Sequence, residues 1–228
     1  MSIDAPRDRE ALMQRAKRLA GRRVAQLAEQ LGREVPPDLR SHKGWLGELI
    51  EDALGASAGS RPEVDFPDLG IELKTIPIDR QGRPRESTWV CAAPLNGFIG
   101  ETWLTSRVRA KLFNVLWFPI LSEAGLPLAE RMLGTPLLWS MDAESEAVLR
   151  DDWDELSELM RLGQLEEIDA RKGTWLQLRP KAAHGRVTRM ALDAEGEWVP
   201  TNPKGFYLRS AFTKRLLSRY WCSAEGAH

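Results

Sequence analysis

The sequence predicts a mixed fold of the α/β (α+β) class, with helices flanking a sheet. Three observations carry this. An apolar period near 3.6 runs through residues 8–31 and again through 142–163. A period-two alternation marks 69–77 and 86–93, with the turn-forming DRQGRP between them. The short β-rich runs TWLQLRP and GFYLR lie between the 142–163 segment and a last amphipathic stretch, FTKRLLSRYW.

Taken in order, Leu12, Ala16, Leu19, Ala20, Val24, Leu27 and Leu31 form one helical stripe. Gly21 weakens its middle and predicts two helices, closed by Pro36 and Pro37. Residues 43–54 form the next helix, and GASAGSRP (55–62) is a loop of small residues. The two alternating runs predict a hairpin. SRVRAKLFNVL (106–116) reads as a helix running into an apolar strand near Trp117, and PLLWS as a short strand. The proline and glycine breaks around 119–136 mark an expected boundary between two lobes, about 1–120 and about 121–228, of one domain. The amphipathic helix at 142–163 is closed by Gly163.

A chain of 228 residues with 43% apolar and 29% charged residues buries a sizeable core. It has no apolar run of membrane-spanning length, and its first residues, MSIDAPRDREALMQRAKR, lack the apolar core of a signal peptide. Cys91 and Cys222 are expected as free thiols, so a cytoplasmic location and no membrane are expected. His42, His184 and His228 lack zinc spacing, and no phosphate-binding glycine motif is present. Net charge is −1, unevenly spread. Residues 141–170 hold 11 acidic and 2 basic side chains, and residues 171–221 hold 3 acidic and 11 basic. Either the basic block meets a polyanion or the two blocks neutralise each other.

Chemistry concentrates in DFPDLGIELKTIP (65–77). On a period of two, Glu72 and Lys74 share one face, and Asp65 enters from the loop. Two carboxylates with a backbone carbonyl between them are hard oxygen ligands suited to Mg²⁺. A neighbouring ammonium can orient a water or hold developing negative charge. The pattern fits a phosphodiester-cutting site. By itself it is also the pattern of an exposed Glu/Lys pair on the solvent side of a sheet, which is the commoner case. In KGWLGELIEDAL, Gly44, Gly47 and Glu51 fall on one line beside the core stripe. Two helical glycines one turn apart cost about 1 kcal/mol each relative to alanine, so close passage of another element is expected there. Glu51 is read as a third acid turned toward the strand, and Lys43 as a phosphate contact. With 24 Arg against 8 Lys, a lysine marks a place that calls for a compact ammonium.

KGWLGELIE, DFPDLGIELKTIP, VCAAPL, TPLLWS, the acidic WDEL helix, LRPKAA and GFYLR, in that order, resemble the MutH family of DNA mismatch-repair endonucleases from about residue 40 to 220. The resemblance implies a restriction-endonuclease-like mixed sheet flanked by helices, with two lobes around a DNA cleft, the N-terminal one catalytic and the C-terminal one reading DNA. It implies nicking, dependent on Mg²⁺ with Mn²⁺ as a substitute, of the unmethylated strand at hemimethylated GATC in double-stranded DNA. It also implies activation of a monomer by MutL, itself recruited by MutS. Residue by residue, Asp65 and Glu72 match the family's metal-binding catalytic acids and Lys74 its catalytic lysine. Glu51 matches a glutamate near the metals, and Lys111 a lysine near the scissile phosphate. Lys43, Arg179, Lys181 and Tyr207 match DNA contacts, Tyr207 lying near the adenine. The resemblance departs at Trp89, where enterobacterial members carry phenylalanine; a repacked neighbour is expected. It also departs in the tail CSAEGAH. A stand-alone type II restriction endonuclease cutting both strands at GATC, and a non-catalytic DNA-binding module, are the alternative expectations.

Overall fold

The computed structural model describes residues 3–39, 41–59, 61–94, 100–169, 171–181, 189–193 and 195–225, the side chains of residues 192 and 222–225 excepted. His184, His228, the Cys222 side chain and most of the unmatched tail lie outside this set. The helices are α1 (Arg9–Leu19), α2 (Val24–Gln30), α3 (Trp45–Leu54), α4 (Arg107–Leu112), α5 (Ala143–Arg161) and α6 (Ser210–Glu225). The strands are β1 (Glu72–Ile78), β2 (Thr88–Ala92), β3 (Asn114–Leu121), β4 (Met132–Leu133), β5 (Leu137–Ser140), β6 (Leu176–Pro180), β7 (Arg189–Leu192), β8 (Trp198–Thr201) and β9 (Lys204–Leu208). Two compact units result. Met1–Glu86, Phe113–Ser140 and Leu216–His228 make the first; Ser87–Leu112 and Met141–Arg215 make the second.

The first unit holds a mixed sheet. β1 runs parallel to β3, with Glu72 opposite Val115 and Lys74 opposite Trp117. The other side of β3 pairs antiparallel with β5 and β4. Residues 114–120 of β3 are all buried, which explains an apolar run without alternation. Leu12, Leu27, Leu49, Ile50, Leu54, Ile71, Leu116 and Phe118 pack into one core that joins the three helices to the sheet. The break at Gly21 separates α1 from α2 as the sequence predicts. It also lets the backbone extend the sheet: Gly21 N–H donates to Leu133 O at 2.7 Å, and Leu133 N–H to Arg22 O at 2.9 Å. α2 stops at Gln30, before the prolines that were expected to end it.

The expected hairpin does not form. DRQGRP does turn the chain: Gly82 N–H reaches Asp79 O at 2.9 Å, and Arg85 N–H reaches Pro77 O at 2.9 Å. Ile78 and Pro84 make only an isolated antiparallel bridge, and the pairing does not extend into a ladder. β1 pairs with β3 instead, and β2 joins β9 in another sheet.

The second unit carries an antiparallel sheet in the order β2-β9-β6 and a separate β7–β8 pair, which the sequence reading missed. Asp142 caps α5 by accepting from Ser145 N–H at 2.7 Å. Gly163 follows its end, as expected. One turn pair deeper, the buried Asp152 accepts the N–H groups of Thr174, Trp175 and Leu176 at 2.6, 2.7 and 2.8 Å. The Arg209 guanidinium holds the carbonyls of Lys172 and Gly173 from another side, at 2.6 and 3.0 Å. A β-carbon at Gly173 would meet Leu176 O, and its φ is +75°, so glycine is required there. The entry to β6 is thus pinned by two charged side chains.

The acidic and basic blocks meet in part within this unit. Lys172 pairs with Glu155 at 3.0 Å, and Arg215 pairs with Glu144. Cys91 is a buried free cysteine. Among the described residues, no helix is long and apolar enough to cross a membrane.

Candidate active site

Glu72 opens β1 and is 3% exposed, so it does not lie on a solvated sheet face. Its Oε1 accepts from Lys74 Nζ at 2.6 Å, and the Lys74 side chain is itself 11% exposed. Burial of both partners removes the solvent-pair alternative. An ion pair this deep costs desolvation that its attraction only partly returns, which marks it for chemistry more than for stability. Asp65, half-buried just ahead of the turn at 67–69, accepts the Leu73 N–H at 2.7 Å. That bond occupies a backbone donor on the edge of β1 away from β3 and holds the Asp65 carboxylate beside the strand.

Glu51, on the last turns of α3, completes the cluster. Burial first, then the negative charges of Asp65, Glu72 and Glu48, push its carboxyl from 4.5 to about 7, with Lys74 working the other way. Three carboxylates therefore crowd against one ammonium.

The glycines of α3 do not mark the close passage that the sequence predicts. Gly44 precedes the helix as its N-cap with φ +95°, a conformation that side-chain-bearing residues rarely adopt. At Gly47 a β-carbon would meet only the Glu51 side chain, at 3.7 Å. Among the described residues nothing passes close to this face; the glycine pattern reports a cap and an open surface.

A folded-state pKa above the unfolded value stabilises the protonated form. Glu51 thus contributes stability fully present below about pH 4.5 and lost as pH rises through about 7. Glu51→Gln is expected to raise the urea midpoint of the metal-free protein at pH 8, by on the order of 2 kcal/mol after allowing for partial exposure. The difference from wild type should vanish at pH 4; an equal gain at both pH values would contradict the charge crowding.

Among the described residues, no three His, Cys, Asp or Glu side chains already converge as a metal cage. The donor set nonetheless fits Mg²⁺, which takes one or two carboxylates and keeps several waters. After burial, the negative charges of Asp65, Glu72 and Glu48 raise the Glu51 pKa further, and a divalent cation would relieve that part.

The other sequence-predicted residues lie apart in the chain. Lys43 is exposed on the turn before α3. Lys111 is half-buried on α4, in the second unit. Also in the second unit, Arg179 on β6 and Lys181 just beyond it are exposed, and Tyr207 on β9 is half-buried. Strand register puts Gln177, Arg179, Trp89, Tyr207 and Gly205 on one sheet face. The Arg179 guanidinium sits 5.6 Å from the Tyr207 ring centre, and Trp89 meets Tyr207 edge-on at 5.1 Å. Burial pushes the Tyr207 phenol above its usual pKa, keeping it a hydrogen-bond donor at neutral pH. Sequence reading missed Gly205, Gln177 and Asp152. A glycine inside a strand is a signal of close approach and could have found the first; the other two carry no such mark.

A mixed sheet flanked by helices, with an acid and a lysine on its edge strand and a second acid held beside it, is of the restriction-endonuclease-like class. Comparison with known proteins gives the particular family. A family model described as DNA mismatch repair enzyme MutH matches residues 54–152. The DNA mismatch repair protein MutH of Vibrio cholerae serotype O1 (strain O395) is 54% identical over 217 residues, covering 95% of this chain and 98% of that protein. Those of Serratia proteamaculans (95% of each chain) and Escherichia coli O9:H4 (96% of each chain) are 52% and 50% identical. The chain belongs to the MutH family of DNA mismatch repair enzymes.

Proposed function

We propose that this protein is a Mg²⁺-dependent endonuclease that nicks the unmethylated strand at hemimethylated GATC sites, activated by MutL after MutS has found a mismatch. The observation that carries the cleavage chemistry is the buried Glu72–Lys74 pair with Asp65 and Glu51 against it. Family membership supports the repair role and the DNA substrate.

Asp65 and Glu72 would hold the cation. A bound Mg²⁺ supplies a water of lowered pKa and positive charge beside a phosphoryl oxygen. Lys74, now paired with Glu72, places an ammonium where it orients the attacking water and offsets charge building on the phosphate. Glu51, whose carboxyl is raised by burial and by its acidic neighbours in the metal-free protein, adds a third carboxylate beside the cation. Lys43 and Lys111 contact the DNA backbone. Arg179 and Lys181 supply groove and phosphate contacts, and Tyr207 lies against the adenine edge, where an N6 methyl removes a donor and adds bulk. In this reading the N-terminal lobe cuts and the C-terminal lobe reads, in the cytoplasm, as a monomer.

The test uses supercoiled plasmids unmethylated, hemimethylated and fully methylated at GATC, with Mg²⁺, with and without MutL and ATP. The expected result is nicks confined to unmethylated GATC strands and stimulated by MutL. Linear products without MutL would replace this reading with a restriction endonuclease, and DNA binding without cleavage would replace it with a binding module.

A further inference from the structure

Resting on that reading of Lys181 as a DNA contact, we propose that Trp89 is a positioning residue for it: the indole lies across the central strand of its sheet, in the notch left by Gly205, and holds the Lys181 ammonium over its ring.

Trp89 belongs to β2 and Lys181 follows β6, with β9 between them. In register Trp89 stands opposite Tyr207, and Gly205 stands opposite Arg179. A β-carbon built on Gly205 would lie 2.1 Å from Trp89 Cζ3 and 2.5 Å from Cη2. These atoms belong to the outer ring of the indole, so the outer ring rests on bare backbone. From there it reaches the far side of β9, where the Lys181 Nζ lies 5.2 Å from the ring centre. The Lys181 N–H donates to Pro203 O at 2.6 Å, so backbone and ammonium are both tied down in an otherwise exposed residue.

The arrangement continues. Trp89 meets Tyr207 edge to face, and Arg179 stacks on Tyr207. Two cations thus flank a pair of rings, in the order Lys181, Trp89, Tyr207, Arg179. A lysine stem has many rotamers, and ordering it costs binding free energy when it must meet a ligand. The indole is the best aromatic partner for a cation, and this one restricts Lys181 before any DNA arrives. A phenylalanine at 89 has no outer ring to cross Gly205.

The experiment is a double-mutant cycle on the full chain. Dissociation constants are measured for a hemimethylated GATC duplex and a scrambled duplex, with wild type, Trp89→Phe, Lys181→Ala and the double variant. Trp89→Phe should weaken GATC binding by about 2- to 5-fold. It should add nothing once Lys181 is alanine. Gly205→Ala, which displaces the ring without touching either partner, should match Trp89→Phe. In the free protein, the Lys181 side-chain protons should be shifted upfield by the ring current and return to ordinary values in Trp89→Phe. Multiplying losses in the double variant, or an unmoved Lys181 signal, overturns the inference while leaving the proposed function intact. A wild type that binds both duplexes equally overturns the function, and with it the DNA role of the pair.

Discussion

Asp65→Asn is expected to lower Mg²⁺-dependent nicking by about 10³-fold or more while leaving the fold in place. The choice of asparagine matters. Asp65 has a structural bond to keep, the Leu73 N–H at 2.7 Å, and an amide oxygen still accepts it. What disappears is one of three crowded negative charges. The proposed cation then loses a hard anionic ligand. The same change relieves Glu51, whose raised pKa owes part of its rise to Asp65, so that pKa should fall toward the ordinary carboxylate range. Three measurements check this together: single-turnover nicking of hemimethylated GATC, a thermal melt, and a titration of Glu51 followed by carboxyl NMR. Full activity in Asp65→Asn would remove Asp65 from the site, whatever its spacing to Glu72.

Asp152→Ala is expected to be the most destabilising substitution in the second unit, by about 3–5 kcal/mol. The buried carboxylate accepts three successive N–H groups, and its removal takes the acceptor from all three. Charge-assisted bonds of this kind exceed the ordinary hydrogen bond, and each N–H left without an acceptor in the interior adds its own cost. Urea unfolding followed through near-UV tryptophan signals is the direct check. Asp152→Asn should recover part of the loss, since one oxygen remains. A loss below about 1 kcal/mol in Asp152→Ala would show that Arg209 alone holds the entry to β6.

The helices were legible because their signal is local. The stripe through Leu12, Ala16 and Leu19, the break at Gly21 and the stop at Gly163 need only neighbouring residues to be read. The strand at 72–78 was legible as a strand, but its partner was not. Alternation states which face is buried and says nothing of whether the neighbour lies ten residues away or forty. DRQGRP makes the turn it promises, but only the Ile78–Pro84 bridge follows, and β2 pairs with β9. β7 and β8 escaped because each is four residues long, and Pro200 interrupts the composition of β8.

The same division holds for the site. Asp65, Glu72 and Lys74 stand close in sequence, so their spacing reveals them, and the helical face of Glu51 could be drawn from its neighbours. Burial of the Glu72–Lys74 pair, the shift at Glu51 and the three N–H groups on Asp152 arise from folding and leave no trace in spacing. Gly44 illustrates the converse error: a real glycine requirement was assigned to close packing when backbone conformation accounts for it.

The segmented build of the first unit bears on how the chain is made. β1 ends at Ile78, yet the strand that covers its hydrogen-bonding edge is β3, and the whole of 87–112 emerges between them. During synthesis from the N-terminus, β1 must wait with that edge unpaired while a segment destined for the second unit is extruded. The loop closed by joining Glu72 to Val115 carries an entropic cost that no local turn shares. Assembly of the Glu51–Asp65–Glu72–Lys74 cluster is therefore a late event in the life of the nascent chain, and a fragment ending at residue 86 would carry all four residues without the strand that pairs with β1.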